Sequence, residues 1–191
     1  MDETWQQELG WQRPAGRAWR DAHLVAALVL AAPVWVGLAL WAGPWWRVPA
    51  SAPAWISLVL VQPVLEELVF RGWMQGRWPS RWQPQAMRGW PVSGANLATT
   101  GVFVLAHLVH QPWAWALAVA VPSLVLGHLR ERLHSVWPAM LVHMVYNLGL
   151  GMVALVITPS NAMHNTITAP EGQSIQVDTT SPRPQASVPM P

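Results

Sequence analysis

Between residues 23 and 157 the sequence is divided into apolar runs with almost no charge inside them, at 23–41, 54–70, 96–110, 113–129 and 136–157. Runs of this length have few ways to fold. About 20 apolar residues in a helix cross the roughly 30 Å hydrocarbon core of a bilayer, and lipid offers no partner for an unpaired backbone N–H or C=O, so each spanning segment must satisfy its own backbone as a helix. The expected fold is therefore an all-α polytopic membrane bundle of about five transmembrane segments. Composition agrees: 52% of the 191 residues are hydrophobic and 10% are charged, against about 25% charged in soluble domains.

The punctuation between the runs supports this reading. All basic residues are arginine and they fall between the apolar segments rather than in one patch, so the positive net charge reads as topology information and gives no sign of nucleic-acid binding. With the N-terminus inside, Arg13, Arg17, Arg20, Arg71, Arg77, Arg81, Arg88, Arg130 and Arg132 fall on the inner side, and only Arg47 and Arg183 on the outer. Positive charge is retained on the cytoplasmic side. The expected location is the inner (plasma) membrane, multi-pass, with a cytoplasmic N-terminus and the C-terminus outside.

The expected domains are an N-terminal cytoplasmic segment at 1–21, the helix bundle at 22–157 and a tail at 158–191. Tryptophans 73, 78, 82 and 90 with Arg77, Arg81 and Arg88 make 72–94 an interfacial segment. The tail is rich in Pro, Ser, Thr, Asn and Gln and is expected to be disordered, because it has too little apolar surface to offset its ordering entropy. Cysteine is absent, which removes thiolate nucleophiles and thiolate metal ligands from consideration.

A few polar residues interrupt the apolar runs. A charge at mid-membrane costs about 2.5–3.5 kcal/mol on insertion scales, so Glu66 and Glu67, adjacent near the end of the second run, need a reason to be there. Glu67 has one in sequence: Arg71 follows at i+4, on the same helix face. Glu66 lies about 100° round the helix, with no counter-charge nearby in sequence, and a desolvated carboxylate suits a general base. Arg71 is expected where the second segment leaves the membrane. His107 lies in the third run, four residues after Phe103, and His143 in the last, four residues before Asn147. A single histidine on an apolar helix is ordinarily a packing residue; several polar groups on separate segments point instead to a shared interior. His110, His128 and His134 read as interfacial or solvated.

These residues fall into three ordered motifs. Glu66-Glu67-Leu-Val-Phe-Arg71 resembles the E-E-x-x-x-R motif of the CAAX protease and bacteriocin-processing (CPBP) family of glutamic intramembrane endopeptidases, Phe103 to His107 its F-x-x-x-H motif, and His143 to Asn147 its H-x-x-x-N motif. The resemblance covers residues 58–150, including Ser135-Val-Trp-Pro138. It implies a peptide-bond hydrolase acting on a membrane-associated protein or peptide. Glu66, assisted by His107, would activate a water; His143 and Asn147 would stabilise the oxyanion; Glu67, Arg71 and Phe103 would support the site; and no metal or other cofactor is implied.

Two alternatives stand beside it. Two histidines and a carboxylate can bind zinc with an open position for water, giving a zinc-dependent intramembrane protease, although no H-E-x-x-H is present. A non-catalytic membrane scaffold or immunity protein with the family fold is the other, since fold does not fix function.

Overall fold

The computed structural model describes residues 9–41, 48–83 and 92–157, and every regular element among them is helical. Five helices form the bundle: α1 Ala22–Trp41, α2 Ala52–Arg77, α3 Gly94–Leu108, α4 Trp113–Leu133 and α5 Val136–Ile157. All but α3 are long and apolar enough to cross a membrane. At 15 residues, α3 rises only about 22 Å. The expected tail, and residues 84–91 of the expected interfacial segment with Arg88 and Trp90, lie outside the described residues.

Burial explains the order of packing. α5 carries the longest buried face and lies against α1, α2 and α4, while α3 closes the far side of α4. The core between α1, α4 and α5 is built from Leu24, Ala27, Leu126, Leu129, Ala139 and Val142. Large apolar side chains such as Val34, Leu40, Val121 and Val156 remain on the outside, as a bundle dissolved in lipid requires. Small residues let helices approach closely: a β-carbon at Gly149 would run into the indole of Trp35, and one at Gly151 into that of Trp55. Trp55 thus keys α2 to α5.

Asp21 anchors the start of α1. It accepts from the His23 backbone N–H at 2.9 Å and from Arg132 Nε at 2.9 and 3.0 Å, tying α1 to the end of α4. Burial pushes the Asp21 carboxyl up, but the Arg132 guanidinium and the N–H groups of His23 and Leu24 outweigh it, leaving the group below its ordinary value. The tie is therefore present at neutral pH and is lost as pH falls through that lowered value.

α2 departs most from expectation. It does not leave the bundle at Arg71 but runs on to Arg77, with Arg71 only 1% exposed. Its arginine can stay inside because Glu67 neutralises it and Ser123 of α4 solvates it (below). The helix also widens twice into π geometry, at Ser57–Val61 and Glu67–Met74. Gln62 N–H bonds to Ser57 O and Gln75 N–H to Phe70 O, each five residues back. Such widenings are uncommon and are frequent at functional sites.

α3 and α4 meet through a polar seam in which Gly127 is obligatory. Asn96 Nδ2 donates to Leu124 O at 2.9 Å, and a β-carbon at Gly127 would overlap the Asn96 amide. The amide is pinned and cannot step aside cheaply. Gly127→Ala is therefore expected to lower stability by about 1–3 kcal/mol, the ordinary cost of overpacking, measured as a fall in the thermal unfolding midpoint. An Asn96→Ala change in the same chain should recover part of that loss, because it removes the atoms the new methyl strikes.

Candidate active site

The carboxylates of α2 converge on one imidazole of α5. Glu67 Oε1 accepts from Arg71 Nη1 at 3.0 Å and from His143 Nδ1 at 2.9 Å, and His143 Nε2 lies 3.7 Å from Glu66 Oε2. Glu66 and Glu67 straddle the point where α2 passes from α to π geometry. A wider turn reduces the angle between successive residues, which helps both side chains reach the same partner. A carboxylate can only accept, so Nδ1 of His143 carries the proton. That leaves its Nε2 edge presented to Glu66.

The two glutamates occupy different surroundings. Glu67 is fully buried, whereas the Glu66 side chain is 30% exposed. Arg71 in turn donates to Ser123 Oγ at 2.8 Å and Ser123 O at 3.1 Å, and its guanidinium lies over the Phe103 ring, 4.7 Å from the centroid. Phe103 packs edge-on to Phe70. A chain of contacts therefore runs from α4 through Arg71 and Glu67 to His143, holding the imidazole from behind. Glu66 has no counter-charge nearby in sequence; through the fold it faces His143 of α5, which no local spacing on α2 could reveal.

The other expected site residues point elsewhere in this conformation. Asn147 Nδ2 donates to Leu58 O at 2.9 Å. Pro63 supplies the reason: in the π register that Gln62 sets, the next carbonyl, that of Leu58, faces a residue without an N–H. Asn147 satisfies that stranded acceptor and so clamps the first widening of α2 to α5. Its second amide proton is not committed to that bond. His107 Nδ1 hydrogen-bonds to Phe103 O at 2.9 Å, and its ring lies 4.4 Å from that of Phe103. The carbonyl fixes the proton on Nδ1 and leaves Nε2 of His107 an acceptor. Of the remaining histidines, His110 and His134 are exposed, and His128 pairs with His23 at 3.0 Å.

Several functional neighbours escaped the sequence reading. Gln75 donates to Glu131 Oε1 at 2.7 Å and to Gly127 O at 3.1 Å, Glu131 also accepts from Ser93, and Thr100 pairs with Ser123 at 2.9 Å. The signal was present as i, i+4 polar stripes: Glu67, Arg71 and Gln75 on α2, Asn96 and Thr100 on α3, and Ser123, Gly127 and Glu131 on α4. Beside this network lies a cavity of about 80 Å³ lined by Arg71, Gln75, Gly76, Gln83, Arg130, Glu131 and His134. Three buried polar atoms along it or next to it have no protein partner: Gln75 Oε1, Arg71 Nε and Glu67 Oε2. Polar, roomy sites of this kind hold water. No three His, Asp or Glu side chains among the described residues converge as a metal centre would need.

A family model described as Type II CAAX prenyl endopeptidase Rce1-like matches residues 47–149. No curated protein and no solved structure gives a significant match. The matched span is more than half of the chain and contains Glu66, Glu67, Arg71, Phe103, His107, His143 and Asn147. The chain therefore belongs to the Type II CAAX prenyl endopeptidase Rce1-like family.

Proposed function

We propose that this protein is an intramembrane endopeptidase of the glutamate type, hydrolysing a peptide bond of a membrane-associated protein or peptide at Glu66. The carrying observation is the placement of His143, with Nδ1 held by Glu67 and Nε2 turned 3.7 Å from Glu66 Oε2. A water at an ordinary hydrogen-bond distance of about 2.8 Å from both groups can bridge that gap. Glu66 takes its proton as the oxygen attacks the scissile carbonyl, and the proton then passes to the leaving amine. The uncommitted amide proton of Asn147 stabilises the oxyanion, His143 does so in its doubly protonated form, with Nδ1–H on Glu67 and Nε2–H toward the oxyanion, and the acceptor Nε2 of His107 assists the water. Glu67 with Arg71 positions His143 without entering the chemistry. The arginine-rich end of the bundle, with Arg77, Arg130 and Arg132, is the cytoplasmic one in this reading.

The experiment is cleavage of a C-terminally lipidated peptide by the purified protein in nanodiscs, before and after exhaustive chelation. Activity is expected to be unchanged by chelation. Loss of activity that zinc alone restores would replace the glutamate mechanism with the metal-dependent one.

A further inference from the structure

Residues 9–12, ahead of α1, lie across the arginine-rich end of the bundle. Leu9 covers α2: a β-carbon on Gly72 would stand 3.2 Å from the Leu9 carbonyl oxygen. The next residue already touches the other side of the cleft, since Gly10 O accepts from the Val136 N–H at 2.9 Å, at the first residue of α5. Gln12 completes the attachment, its side chain donating to His134 O at 2.9 Å and its carbonyl accepting from Ser135 Oγ at 2.8 Å. Trp11 lies against Trp137, with ring centroids 4.6 Å apart. Gly10 has a φ of +65°, and any β-carbon there would strike the Arg130 guanidinium. Only glycine makes this crossing without strain.

The positions of these contacts define what is covered. Gly72 lies six residues beyond Glu66 on α2, and Val136 lies seven residues before His143 on α5. At about 1.5 Å per residue, both contacts fall roughly 9–10 Å from the site, toward the arginine-rich end. Two consecutive residues therefore bridge the two helices that carry Glu66 and His143, toward their arginine-rich ends. The partners they use are those an extended peptide would use: a backbone N–H, a backbone carbonyl, a hydroxyl and an indole face. Main-chain recognition of this kind accepts many sequences. The segment lies outside residues 47–149 that match the family.

We infer that residues 9–12 form a displaceable strap closing the arginine-rich mouth of the Glu66–His143 site, in the place where an extended substrate peptide enters. The inference rests on the peptidase reading for its purpose but not for its geometry. Two of its three hydrogen bonds depend on the side chains of Gln12 and Ser135. Removing two bonds of ordinary net strength shifts a closed-to-open ratio by roughly tenfold or more.

The absence of cysteine from the chain permits a test that does not depend on cleavage. Glu66→Cys is introduced into the full-length chain in nanodiscs, with and without Gln12→Ala and Ser135→Ala, and its reaction with a charged, membrane-impermeant thiosulfonate is timed. The thiol is expected to react roughly tenfold faster with the strap released, and equal rates would overturn the inference. Trp11→Ala is the milder release if the double change folds poorly. In a second arm, Trp11→Cys and Trp137→Cys with Glu66 intact are joined by a short reducible bis-thiol bridge. Cleavage should stop on bridging and return on reduction; a bridged enzyme as active as the reduced one would contradict the strap. If release accelerates the thiol reaction while no form cleaves any peptide, the strap stands and the peptidase reading falls.

Discussion

Glu67→Gln is expected to cost the bundle about 3–5 kcal/mol, the usual penalty for leaving a buried charge without its partner. Arg71 is only 1% exposed and takes its sole charge partner among the described contacts from Glu67 Oε1 at 3.0 Å. Its remaining bonds, to Ser123, solvate the guanidinium without neutralising it. Thermal unfolding in detergent measures the loss. Arg71→Met should be destabilising alone, because it strands the Glu67 carboxylate, and combining it with Glu67→Gln should cost much less than the sum of the two, since replacing both members of a buried pair removes the stranded charge. Additive losses would show that the pair does not act as a unit.

Glu66→Gln is expected to behave in the opposite way, with turnover falling by about 10²–10⁴, the range that a general base contributes. Its side chain is 30% exposed and meets His143 at 3.7 Å rather than in a tight buried pair, so stability should stay within about 0.5 kcal/mol of the parent. The contrast between adjacent glutamates is the informative part. Were Glu66→Gln to cleave normally while Glu67→Gln remained folded and inactive, the roles assigned to the two carboxylates would be reversed.

The membrane fold was legible because its cause is local: the length of an apolar run decides whether it spans, and the ends of α1, α4 and α5 fall close to the ends of their runs. The second segment was misjudged at Arg71 because an arginine looks like an exit until its partners are known, and Ser123 lies 52 residues further on. The i, i+4 pairing of Glu67 with Arg71 is present as read. What spacing could not carry was direction. That His143 would face both glutamates follows from the π widening of α2 and from how α5 packs on it. That Asn147 would turn to Leu58 follows from Pro63, a residue with no polar atom to draw attention. The N-terminal segment read as a polar leader to α1 because its contacts, at Gly72, Arg130 and 134–137, are made by backbone and by residues more than sixty positions away.

Hydrolysis of a peptide bond at Glu66 is measured by comparing the protein termini of membranes that carry the parent chain with those that carry Glu66→Gln at equal abundance. A discrete set of new termini, mapping to membrane-associated proteins, is expected to appear with the parent chain and disappear with Glu66→Gln. Identical sets of termini in the two membranes would contradict it.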